Sequence, residues 1–91
     1  MMFGIVIEVK IERHDEAGEM LASIVVPMVK ASPGFVKGYW LGSDDQSTGT
    51  SMLIFENEET AHNAADAMRA APEGGPVAIT RADVLPVIAQ A

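Results

Sequence analysis

In the segment Phe35 to Gly42, large apolar side chains fall on both parities: Phe35, Tyr39 and Leu41 alternate with Val36, Gly38 and Trp40. An extended strand sends successive side chains to opposite faces, so a strand of this composition needs apolar cover on both. The next extended run, Thr50 to Glu56, has the same property, with Leu53 and Phe55 on one parity and Met52 and Ile54 on the other. A chain that makes such strands is expected to build a sheet with helices on one face and a second apolar surface against the other.

The remaining periodicities supply those helices. From Phe3 to Glu12, the residues Phe3, Ile5, Ile7, Val9 and Ile11 alternate with Gly4, Val6, Glu8, Lys10 and Glu12, which reads as a first strand. Arg13, His14, Asp15 and Glu16 then supply capping side chains and first-turn acids. After them Ala17, Met20, Leu21, Ile24 and Met28 recur at helical spacing, predicting a helix to about Ala31. Gly18 weakens that helix, and Pro27 removes the amide that would bond to the carbonyl of Ser23, so a kink is expected there. Pro33 and Gly34 end it. After the hairpin and its polar loop, Asp44 to Gly49, Asn57 is an N-cap and Glu58 and Glu59 suit a helix N-terminus. Ala61, Ala64, Ala65, Met68 and Ala71 make an inward stripe small enough for close approach to a sheet. Pro72, Gly74, Gly75 and Pro76 turn the chain into a fourth strand, Val77 to about Val84, followed by a tail from Leu85 to Ala91.

The order β-α-β-β-α-β predicts a ferredoxin-like α+β fold: a four-stranded antiparallel sheet with both helices on one face. Residues 1–91 are expected to form a single domain, because two cores could not both be stabilised by so short a chain. Val6, Val36, Trp40, Met52, Ile54 and Val84 are read as the apolar cover needed on the other face, met by a second copy of the sheet. The absence of cysteine, which leaves packing alone to hold a small fold, favours such a homodimer. Thirteen acidic against six basic side chains give a net charge of −7, which argues against nucleic-acid and membrane-surface partners and suits a neutral or cationic small molecule. With no basic leader and no apolar span, a cytoplasmic location is expected.

The stretches "SPGFVKGYW" at Ser32 to Trp40 and "MLIFENEETAHNAADAMRA" at Met52 to Ala70, joined by a polar hairpin, resemble the dimeric α+β barrel superfamily. That superfamily includes antibiotic biosynthesis monooxygenases, haem-degrading monooxygenases and stress-responsive barrel proteins. The resemblance implies two sheets packed face to face, with Leu85, Pro86, Val87 and Ile88 crossing onto the partner. It implies two functions: a dimeric barrel that binds a small apolar ligand, or a cofactor-independent monooxygenase acting on an aromatic or polyketide-like substrate. The haem-degrading members use an asparagine in strand one, a tryptophan near strand three and a histidine on helix two; here only His62 on helix two corresponds, and strand three has Phe55.

No residue pattern names a reaction. His14 and His62 are the only imidazoles, neither at a ligand spacing, so no metal site is expected, and no phosphate- or dinucleotide-binding glycine motif is present. No cofactor is expected. His14 is read as a capping or solvent-facing residue and the methionines as core filler. Four residues are carried forward as ligand-pocket candidates. Tyr39 and Trp40 are adjacent, so only one of them can enter a given cavity; either could line a site for a flat organic ligand. His62 flanks the alanine stripe with Asp66 one turn on. Arg81 follows Val77 and Ile79 on one parity and needs an anion, from Asp83, Glu8 or a ligand.

Overall fold

The computed structural model describes residues 1–70 and 75–91. Strands β1 (Phe3–Ile11), β2 (Phe35–Gly42), β3 (Thr48–Phe55) and β4 (Val77–Pro86) form one antiparallel sheet in the order β2-β3-β1-β4. The first helical run comprises α1 (His14–Met20), a π-helical turn (Leu21–Val25) and α2 (Val26–Lys30); α3 (Glu58–Arg69) follows the hairpin. This is the ferredoxin-like α+β arrangement expected from the sequence. The expected roles of Ala71, Pro72 and Gly74 fall outside the described residues.

The helix-side core follows the odd positions of β1. Ile5 pairs with Leu53 on one side and Val84 on the other, and Ile7 pairs with Ser51 and Ala82. Ile5, Leu53 and Phe55 are almost wholly buried, as are Ala61 and Ala65, whose lack of bulk brings α3 close to the strands. Phe35 and Phe55 meet edge to face with ring centres 5.8 Å apart. Each such large side chain contributes about 1.5–3 kcal/mol through burial. Asn57 accepts a hydrogen bond from the Thr60 amide at 2.9 Å, capping α3 as expected.

Pro27 does not end the first helix. The backbone stays right-handed helical through Val25 and Val26, and the Val26 amide donates to the Leu21 carbonyl, the five-residue spacing of a π turn. The run therefore widens by one residue just ahead of the proline and continues to Lys30, with Val29 buried. β3 starts two residues earlier and β4 runs two residues further than expected, so Leu85 and Pro86 pair with β1 rather than lying in the tail.

Two bulges revise the assignment of faces. The β2–β3 register shifts between Phe35 and Lys37, so Phe35 shares the helix face with Gly38 and Trp40, while Tyr39 and Leu41 stand on the far face. The β1–β4 register shifts between Glu8 and Val9: Val9 pairs with Ile79 and Glu8 with Arg81, so Thr80 is the extra residue. Trp40 and Val84, read as cover for the dimer face, therefore pack against the helix-side core. Arg81 leaves the row of Val77 and Ile79 and joins the far face, where it meets Asp83 and Glu8. Tyr39, Leu41, Met52 and Leu85 remain exposed there.

Candidate functional site

The first helical run is amphipathic, yet nothing between His14 and Val25 is buried. Met20 and Leu21 are only half-buried and line the roof of a cavity without joining the core, whereas Val25, one turn on, lines the same cavity and packs against the core. Its floor is the helix face of the central strands, including Ile7, Val9, Trp40, Ser51 and Leu53, and its side wall is Ala64, Ala67 and Met68 of α3. The volume is about 780 Å³, within the range of roughly 300–1,000 Å³ that small-molecule sites occupy.

The cavity opens at the end of the sheet where β1 and β2 finish and β3 and β4 begin. His14, Asp15 and Glu19 of α1 line it on one side and Gln46 of the β2–β3 loop on the other. His14 is the first residue of α1, after Arg13 at the cap position, and its Nε2 lies 3.1 Å from Asp15 Oδ1. Gln46 adopts a positive φ of 60°, held in a tight loop. There the Asp45 carboxylate accepts from the Ser43 and Ser47 hydroxyls at 2.8 and 2.7 Å and from the Ser47 amide at 3.0 Å. Those bonds, the Ser47 hydroxyl foremost, lower the Asp45 pKa to about 2. Asp45 thus organises the hairpin loop.

Two polar groups rise from the floor. The Trp40 indole and the Ser51 hydroxyl are cross-strand partners on β2 and β3, and neither hydrogen-bonds another group among the described residues. Most of the remaining lining away from the mouth is apolar, with Met20, Met28 and Met68 supplying adaptable surface.

Of the four candidates, Trp40 lines this cavity, while Tyr39, His62 and Arg81 do not. Tyr39 points to the far face, paired with Met52. His62 is exposed on α3. Arg81 donates to Asp83 and lies 3.7 Å from Glu8, with its pKa raised chiefly by the Asp83 bond. The structure does not bring the four together. Sequence reasoning missed Ser51 and the mouth residues Asp15, Glu19 and Gln46, which carry only the ordinary signals of a strand, a helix start and a turn. Among the described residues, no group of three metal-ligating side chains converges, and no helix is long and apolar enough to cross a membrane.

The ferredoxin-like sheet with its helices on one face defines a fold class, and solved structures share that fold. SnoaB, a cofactor-independent oxygenase from Streptomyces nogalater, superposes with a TM-score of 0.72 at 13% identity, covering 98% of this chain and 95% of that one. The monooxygenase ActVA-Orf6 of Streptomyces coelicolor, in complex with nanaomycin D, gives 0.59 at 17% identity over 98% and 90%. The haem-degrader MhuD of Mycobacterium tuberculosis, with two haems in its active site, gives 0.54 at 18% over 96% and 98%. The resemblance to the dimeric α+β barrel superfamily is thus matched at the level of the fold. No family model matches the chain, and no curated protein matches it in sequence.

Proposed function

We propose that the protein binds a small, flat, apolar molecule in the cavity beneath its helices, as a homodimer joined through the far face of the sheet. The single observation that carries this reading is the stand-off of the first helix. Met20 and Leu21 face an apolar space of about 780 Å³ and do not join the core that Val25 and Val29 reach, and unfilled apolar space of this size is destabilising unless a ligand or water occupies it. ActVA-Orf6, a structure of the same fold, is in complex with the small molecule nanaomycin D.

The neutral probe N-phenyl-1-naphthylamine tests this directly, because Trp40 is the sole tryptophan and lies on the cavity floor. Saturable quenching of Trp40 with one probe per chain is expected, and its loss in Ser51→Phe, which fills the cavity, would localise the site. Absence of saturable quenching in the wild type would overturn the reading. The dimer rests on the exposed Tyr39, Leu41, Met52 and Leu85 of a sheet face that no helix covers. Wild type should have twice the chain mass at micromolar concentration, and Met52→Asp or Ile54→Asp should halve it.

A second reading, cofactor-independent oxygenation of an aromatic or polyketide-like substrate, is favoured by the likeness to SnoaB. An anthrone-type carbon would lose a proton, the carbanion would add dioxygen, and loss of water would leave the quinone. The substrate supplies the electrons, and the cavity holds it flat away from bulk water. Consumption of one dioxygen per anthrone, abolished in Ser51→Phe, is the expected result; a rate equal to that without protein would exclude it.

A further inference from the structure

We infer that the cavity accepts neutral and cationic aromatic ligands and rejects anionic ones, haem among them. This rests on the cavity being the binding site. The chain has only six basic residues, and none lines the cavity. Lys10, Lys37 and Arg81 stand on the far face of the sheet, at positions paired with Ala78, Ile54 and Glu8. Arg69 donates to the Ala82 carbonyl at 2.6 Å and to Asp66 at 3.2 Å. Arg13 pairs with Glu16 at 2.9 Å, and Lys30 closes the last turn of α2.

Among the described residues, the ionised groups that reach the cavity are the carboxylates Asp15 and Glu19, four residues apart at its mouth. Two penalties therefore act on an anion entering there. Its charge loses water without gaining a cation or a set of charged donors, and it passes two like charges on a chain whose net charge is −7. The second penalty is the smaller, because the Asp15 side chain is 94% exposed and screened by solvent. A neutral hydrogen-bond donor meets neither, and a cation, though it also loses water, is attracted by Asp15 and Glu19 at the mouth where an anion is repelled.

Haem fits poorly on both counts. Its two propionates would find no lysine or arginine in the lining. The lining imidazole, His14, lies at the exposed mouth beside Asp15, and the helix-two histidine, His62, lies outside the cavity. The shared fold with MhuD does not extend to the charges this group needs.

The test compares two probes with one skeleton. 8-Anilinonaphthalene-1-sulfonate differs from N-phenyl-1-naphthylamine by a sulfonate. Read by Trp40 quenching on the full chain, the sulfonate should bind about tenfold more weakly or worse. Asp15→Asn with Glu19→Gln should narrow part of that gap by strengthening binding of the sulfonate, and 0.5 M salt should narrow it in wild type only. Stoichiometric haem should give no shifted Soret band. Equal affinity for the two probes, a gap unmoved by the double substitution, or a sharp stoichiometric Soret shift would each overturn the inference while the cavity reading stood. Failure of the neutral probe to bind would overturn both.

Discussion

The Trp40 ring lies against Gly38, two residues back on the same face of β2. A Cβ at position 38 would come within 3.2 Å of Trp40 Cη2 and 2.8 Å of Leu53 Cδ2. The glycine is therefore what lets the indole lie flat on the floor of the cavity. Gly38→Ala should push Trp40 and Leu53 apart at a cost of about 1–3 kcal/mol, partly offset by the better strand propensity of alanine. Expected are a fall in Tm, a shifted Trp40 emission maximum and weaker binding of the neutral probe. An unchanged emission spectrum would contradict this account of the floor.

Gly34 holds the turn between α2 and β2 at φ +78°, and a Cβ there would lie 2.5 Å from Thr60 Oγ1. Gly34→Ala combines left-handed strain with a clash and should cost about 1–3 kcal/mol, read as a drop in Tm. Adding Thr60→Ala removes Oγ1 and Cγ2 but leaves the 2.7 Å approach to Thr60 Cβ and the backbone strain, and it also removes the bonds of the Thr60 hydroxyl to Asn57, so the double variant should recover little of the lost Tm.

Asp45 gives the clearest dependence on pH. Its folded pKa, about 2, lies below its ordinary 3.8, so the ionised form is favoured by folding. Its contribution is fully present above pH 4 and is lost as pH falls towards 2. Asp45→Asn lacks this titration. The stability difference between wild type and variant, from denaturant melts, should shrink across that window and be constant from pH 5 to 7.

The two faces of the sheet predict separable phenotypes. Trp40→Leu, followed by the probe's own fluorescence because the sole tryptophan is gone, should weaken probe binding severalfold, because a polarisable ring on the floor is worth about 0.5–1.5 kcal/mol beyond its area. It should leave the mass of the assembly unchanged. Arg81→Ala should not alter probe binding, since its partners Glu8 and Asp83 lie on the far face. The exposed His62→Ala should be silent in both assays.

The elements themselves were legible because each is encoded over a few neighbouring residues. The odd positions of β1, the Asn57 cap and the alanine stripe of α3 specify strand, helix start and close packing by local chemistry alone. The turn at Gly34 is equally local. What the sequence could not determine was which side of the sheet each residue faces beyond a bulge. Parity counting runs unbroken along a strand, whereas the actual register depends on partners distant in the chain. Val9 meets Ile79 and Glu8 meets Arg81 only because Thr80 is extruded between them, and that one residue moves Arg81 from the helix face to the far face.

The cavity is likewise tertiary. Met20 and Leu21 have the same apolar spacing whether they touch a sheet or roof a void. Only the stand-off of the helix from the strands decides between the two, because the separation of two elements is set by the packing of both surfaces and not by the periodicity of either.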